Sequence, residues 1–188
     1  MTVLLYPGAG SDSFHSSLMA IEQAVAPHHC VRADFGYRKQ GRKAPDRAPK
    51  LLAEIRDELA DLQPDQPLVL GGRSMGGRMC SMIAAGVDEI DPPHNLKGLV
   101  LISYPLHPPG KPDRLRVDHL ALITVPTLFI SGARDTFGTP DELRRWTATM
   151  PNKARVMHLF IEGRGHDLKG SDHTIAGAVH DFLERIIR

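Results

Sequence analysis

Leu68-Val69-Leu70-Gly71-Gly72-Arg73-Ser74-Met75-Gly76-Gly77 is the stretch on which the reading of this chain turns. An apolar run ends in two glycines, a serine follows two residues later, and a second glycine pair opens a segment that sets Met79, Met82 and Ile83 at helical spacing. Gly72-Arg73-Ser74-Met75-Gly76 is therefore G-x-S-x-G placed between a strand and a helix beginning at Gly76. Such a turn holds its serine in a strained backbone conformation, and its neighbours must be small for the helix to pack on its strand. The hydroxyl then stands near a helix N-terminus, where the backbone N–H of Met75 can donate to a developing oxyanion. A glycine-rich turn that cradles phosphate shares this composition, so the string by itself leaves both readings open.

Working outward from this stretch, short apolar runs bounded by turn residues alternate with segments of helical period. The runs are Val3 to Tyr6, Cys30 to Ala33, Leu68 to Leu70, Gly98 to Ile102, Thr127 to Ile130 and Arg155 to Phe160. One-sided stripes lie between them: Phe14, Leu18, Ile21 and Val25; Leu51, Leu52, Ile55, Leu59 and Leu62; Leu143 and Trp146 after Pro140; and Ile175, Val179, Phe182, Leu183 and Ile186. This alternation predicts a three-layer α/β/α sandwich with a mostly parallel sheet of about six strands. At 188 residues, with no internal repeat, the whole chain reads as one domain, 1–188. Tyr104 to Pro112 carries four prolines in nine residues and reads as a rigid loop. Phe35 to Pro49 reads as a polar, basic loop around Arg38, Lys39, Arg42 and Lys43.

Composition narrows the partners. Lys plus Arg number 23 against 22 Asp plus Glu, a net charge of +1 that gives no electrostatic reason to expect nucleic acid or an anionic membrane. No run approaches the roughly 20 apolar residues of a membrane span, and the chain enters its first strand directly after Met1, without the features of a secretory signal. Cys30 and Cys80 lack zinc or redox spacing and read as two buried thiols, which suits a reducing cytoplasm. The expectation is a cytoplasmic protein acting on a small molecule. No pattern fixes an oligomeric state, and a monomer suffices.

If Ser74 is a nucleophile, it needs a base within hydrogen-bond reach and an acid to orient that base. Asp135 lies just past the Thr127 to Ile130 run, and His166 follows the next run in Gly163-Arg164-Gly165-His166. Parallel strands collect their carboxyl ends at one edge of a sheet, so three separate loops bring Ser74, Asp135 and His166 to one crevice, in the chain order serine, acid, histidine. Asp141 competes with Asp135 but reads as a first-turn residue after Pro140, and Asp167 shares the loop of His166 itself. A second oxyanion donor belongs in the turn Pro7-Gly8-Ala9-Gly10-Ser11, with the N–H of Ala9 the first candidate and that of Gly10 the next. Arg73, Tyr104 and His107 are candidates to line the substrate site, with loop packing the alternative for the last two.

These segments, taken with Ser103-Tyr104-Pro105-Leu106-His107, resemble the α/β-hydrolase superfamily over essentially the whole chain. More narrowly they are similar to small dienelactone-hydrolase-like proteins that include KANSL3/Tex30-type hydrolase domains. The resemblance implies Ser74 as nucleophile, Asp135 as acid, His166 as base, and the N–H groups of Met75 and Ala9 as oxyanion donors. It also implies acyl transfer from an ester or thioester through an acyl-enzyme, with no metal or organic cofactor. Two departures matter. The chain begins at what would be the third of eight strands, and Pro7 stands where many relatives place a histidine. Tyr104 to Leu120 is too short for the cap such proteins often insert there, which implies an open, shallow site edged by the proline-rich loop, Arg73 and the Arg38 to Lys43 loop. Two alternatives stand beside the hydrolase: an acyltransferase using the same triad, and a non-catalytic interaction module, since eukaryotic relatives include proteins resembling complex subunits.

Overall fold

Uninterrupted aliphatic runs belong in strands covered on both faces, and the computed structural model, which describes residues 1–151 and 155–187, places them so. In chain order the elements are β1 (Thr2–Tyr6), α1 (Ser16–Ala24), β2 (His29–Arg32), α2 (Gly36–Lys39), α3 (Ala48–Ala60), β3 (Leu68–Arg73) and α4 (Met75–Ala84). They continue with β4 (Leu96–Ile102), β5 (Thr127–Gly132), α5 (Pro140–Thr147), β6 (Val156–Ile161) and α6 (Asp172–Ile187). Short 3₁₀ turns occupy Val87–Glu89 and Asp118–Leu122.

The strands form one six-stranded sheet in the order β2-β1-β3-β4-β5-β6, parallel throughout. Side chains alternate between its faces. Val3 and Leu5 point with Val69, Val100 and Ile130 into a core closed by Leu18 and Ile21 of α1 and by Ile175, Val179 and Phe182 of α6. Leu4 and Tyr6 point the other way, with Leu70, Leu101 and Phe129, against Leu51 and Ile55 of α3, Met79 and Ile83 of α4 and Leu143 of α5. The result is the α/β/α sandwich, without a cap domain. From β1 the chain steps to β2 on one side and later to β3 on the other. The loops leaving β1 and β3 thus face each other across the switch point, where such sheets take ligands.

Local chemistry sets several boundaries. Thr139 and Glu142 form a reciprocal capping box ahead of α5, with Pro140 in its first turn. α4 starts at Met75, one residue earlier than the glycine pattern indicated, because Ser74 itself is the N-cap.

Three sequence expectations need correction. Phe14 is not part of the α1 stripe: the side chain of Asp12 accepts the Phe14 N–H in a turn that ends before the helix, leaving the ring 71% exposed under the Arg32 guanidinium. The Phe35 to Pro49 segment is only partly a polar loop. Phe35 and Tyr37 are fully buried and stack in series on Tyr6, a pair too short to give a periodic signal. Cys30 is only half-buried, because β2 is an edge strand, whereas Cys80 is buried. No helix among the described residues is long and apolar enough to cross a membrane.

His119, in the turn after β4, is held neutral: burial first, and the charge of Arg78 next, lower its pKa to about 4. A histidine whose folded pKa lies below the unfolded value of about 6.5 binds its proton more tightly in the unfolded chain. Its contribution is therefore intact above that value and lost as pH falls toward 4, at a cost on the order of 3 kcal/mol. Urea midpoints measured across this window are expected to fall steeply with acidification, and His119→Gln is expected to flatten that slope.

Candidate active site

Ser74 sits at φ 45°, ψ −113°, a conformation costing a non-glycine residue about 1–3 kcal/mol. Its N–H donates to the Ile102 carbonyl at 2.8 Å and its carbonyl accepts the Arg78 N–H at 2.9 Å, so the turn is tied to β4 and to α4 at once. The glycines around it are required by space. A Cβ on Gly72 would stand 2.5 Å from the Tyr6 carbonyl oxygen, and one on Gly76 2.5 Å from that of Pro7. The whole elbow is wedged against the end of β1. That contact also fixes the loop after β1: a Cβ on Gly8 would lie 3.6 Å from that of Ser74.

The three loops predicted to converge do so. His166 Nε2 lies 2.9 Å from Ser74 Oγ, and His166 Nδ1 lies 2.8 Å and 3.0 Å from the two carboxylate oxygens of Asp135. A carboxylate only accepts, so the ring proton belongs on Nδ1 and the lone pair of Nε2 faces the serine hydroxyl. The Asp135 side chain is completely buried and also accepts the Phe137 N–H at 2.8 Å. The Phe137 ring stacks on the imidazole, centroids 3.9 Å apart, so orientation is set by a hydrogen bond at one edge and a ring on one face. Asp141 is exposed and pairs with Arg144, and Asp167 is exposed, which leaves Asp135 as the acid in contact with His166.

Met75 opens α4, so its N–H has no acceptor within the helix. Across the crevice, Gly8 O accepts the Ser11 N–H at 3.1 Å and Ala9 O accepts the Tyr37 hydroxyl at 2.7 Å. These bonds fix two successive peptide planes and leave the N–H groups of Ala9 and Gly10 without an acceptor among the described residues. An apolar cleft of about 260 Å³ beside Leu59, Leu68 and Ile83 lies at the amino ends of the strands, away from Ser74.

The sequence matches the family described as Alpha/beta hydrolase domain over residues 1–187. The chain belongs to that family. Solved structures agree at the level of fold. Est1E from Butyrivibrio proteoclasticus superposes with a TM-score of 0.76 at 16% identity, over 99% of this chain and 88% of its own. The monoacylglycerol lipase of Paleococcus ferrophilus gives 0.75 at 15%, over 97% and 93%. The thioesterase domain of the curacin biosynthetic pathway gives 0.66 at 17%, over 98% and 90%.

Within this α/β hydrolase, Arg73, Tyr104 and His107 do not occupy the places expected of substrate-lining groups. Arg73 is buried; its guanidinium donates to the carbonyl of Asp167 at 2.9 Å and reaches that of His166 at 3.5 Å and Ser17 Oγ at 3.4 Å. Tyr104 is buried with its hydroxyl donating to the Arg116 carbonyl, and His107 is buried with Nδ1 2.9 Å from the Pro108 carbonyl. The last two are the packing residues of the proline-rich loop. Sequence reading missed Ser103, whose hydroxyl donates to the His166 carbonyl at 2.8 Å, and Phe137. Both were findable, since Ser103 directly follows β4 at the same sheet edge and Phe137 follows Asp135 by two.

Arg73 and Ser103 together anchor the backbone of the histidine loop. Arg73→Met is expected to speed amide hydrogen exchange across 164–168 about tenfold, the loss of a charged hydrogen bond, while β3 and β4 stay protected. Unchanged exchange in that loop would contradict the bracing role.

Proposed function

We propose that the protein is a serine hydrolase that cleaves a small ester or thioester through an acyl-enzyme on Ser74. The observation that carries this reading is the unbroken hydrogen-bonded series Asp135–His166–Ser74, with contacts of 2.8 and 2.9 Å. His166 takes the Ser74 proton at Nε2 as Oγ attacks the substrate carbonyl, and Asp135 steadies the imidazolium that results. The N–H groups of Met75 and Ala9 hold the oxyanion, with Gly10 as the other donor in the same loop. His166 then returns the proton to the departing alcohol or thiol. A water, deprotonated by the same ring, attacks the acyl-enzyme and regenerates Ser74. Each proton passes through His166 Nε2, first from Ser74 to the leaving group and then from the water back to Ser74 Oγ, so this scheme routes no step through a metal or organic cofactor.

The descriptions of structural neighbours as a monoacylglycerol lipase and a thioesterase domain, together with ferulic acid bound in Est1E, support an ester or thioester as the bond cleaved. Absence of a cap domain supports a site open to small or extended acyl groups.

A fluorophosphonate probe tests the reading without a known substrate. Wild-type protein is expected to be labelled, and Ser74→Ala and His166→Ala are expected to lose labelling while keeping their circular dichroism spectra. A folded wild type that takes no label would point instead to an interaction module on a hydrolase fold.

A further inference from the structure

Beside the nucleophile helix lies a cationic cluster that the scheme above does not use. Arg78 follows Ser74 by one helical turn, and helical side chains lean back over the turn before them. Its backbone is joined to that of Arg116 by a continuous polar chain. Ser81 Oγ donates to the Arg78 carbonyl at 2.7 Å and lies 2.7 Å from His119 Nε2. That ring nitrogen is 3.3 Å from the Tyr104 hydroxyl, which donates to the Arg116 carbonyl at 2.8 Å. The backbones of two half-buried arginines, one on α4 and one in the loop after β4, are thus linked, and the charge of Arg78 acts on Arg116.

Neither guanidinium has a hydrogen-bond or ion-pair partner among the described residues, and Arg78 Nε is shut off from water with no acceptor. Buried cations are ordinarily paired. Here the other near groups are a neutral histidine and a neutral phenol, and Asp118, whose charge acts on that histidine, is exposed. Burial, and then the like charge of Arg78, pull Arg116 below its ordinary pKa, the effect an anion between them would reverse. The loop that carries Arg116 is tied to the site: the Arg116 N–H donates to the Leu106 carbonyl, and the residue after Leu106, His107, donates its N–H to the carbonyl of Phe137, the residue stacked on His166.

We infer that Arg78 and Arg116 form a subsite for a carboxylate carried by the substrate, so that the ester or thioester cleaved at Ser74 is an anionic one. Planar guanidiniums match a carboxylate through paired N–H donors. This inference rests on the serine-hydrolase reading for its place in a reaction, but the anion site itself can be tested apart from it.

The kinetic test compares kcat/KM for 4-nitrophenyl glutarate, as the monoester, with that for 4-nitrophenyl valerate, which replaces the free carboxylate by a methyl group. Wild type is expected to favour the glutarate by about tenfold, the discrimination of a charged hydrogen-bonded contact. Arg78→Gln and Arg116→Gln are each expected to bring the ratio near one, and either variant alone suffices if the other fails to fold. Equal turnover of the two esters by wild type, or a preference that survives both substitutions, overturns the subsite.

The binding test titrates the Ser74→Ala protein with glutarate and follows the guanidinium N–H resonances of Arg78 and Arg116. Shifts abolished by Arg78→Gln support the site even if the fluorophosphonate result removes the hydrolase reading. Absence of shifts in protein whose wild type is active overturns the subsite and leaves the hydrolase standing.

Discussion

The close approach of the β3–α4 elbow to the end of β1 is the constraint on which the rest of the structure depends. Ser74 can hold a positive φ only because Gly72 and Gly76 let its strand and helix press against the Tyr6 and Pro7 carbonyls. The strain, about 1–3 kcal/mol, is offset by bonds to β4 and α4 and by the packing of Met79 and Ile83 beneath the helix. One contact has three consequences. It raises the serine hydroxyl to the sheet edge, aims the first N–H of α4 into the same crevice, and sets the Gly8–Ser11 loop against Ser74. The topology supplies the remainder, since β5 and β6 end at that edge and their loops reach back across it.

Around this contact the charged groups form two layers with different work. Asp135 is buried, acceptor-only and locked by the Phe137 N–H, which leaves His166 one ring orientation. Behind it Arg73, next to the serine in sequence, turns away from the crevice and holds the carbonyls of the residues that carry the imidazole. Moving Arg73 would therefore be felt at His166. Arg78, by contrast, is one turn along the helix with no carboxylate to meet it among the described residues, and the charge that acts with it on the loop after β4 is that of another arginine, Arg116. The two arginines of the Gly72-to-Arg78 run thus meet different surroundings: Arg73 is buried against the histidine loop, and Arg78 is half-buried with its Nε unpartnered among the described residues.

Much of this was legible in the sequence because its signals were local or periodic. Buried parallel strands are written as aliphatic runs, the elbow as glycines flanking a serine, and the acid and histidine as residues just past strand ends, so the fold class and the Ser74, Asp135, His166 grouping followed. What escaped reading depends on where a side chain points after the loops fold. Arg73 looked like a mouth residue because its hydrophilicity is visible and its burial is not. Tyr37 looked like loop, since a single aromatic under a turn has no period, and yet its hydroxyl fixes the Ala9 carbonyl. Phe14 failed in the opposite sense: it matched the helical spacing of α1, but the Asp12 turn takes the backbone out of register before the helix begins.

The central claim is that the strained elbow delivers an activated serine, and the most direct measurement is identification of the covalent adduct. Wild-type protein would be acid-quenched while turning over 4-nitrophenyl acetate, digested, and examined by peptide mass spectrometry beside Ser74→Ala. The account predicts an acetyl group on the peptide bearing Ser74, confined to that residue and lost in the variant. Turnover that proceeds with no adduct at Ser74, or that continues undiminished in Ser74→Ala, would contradict it.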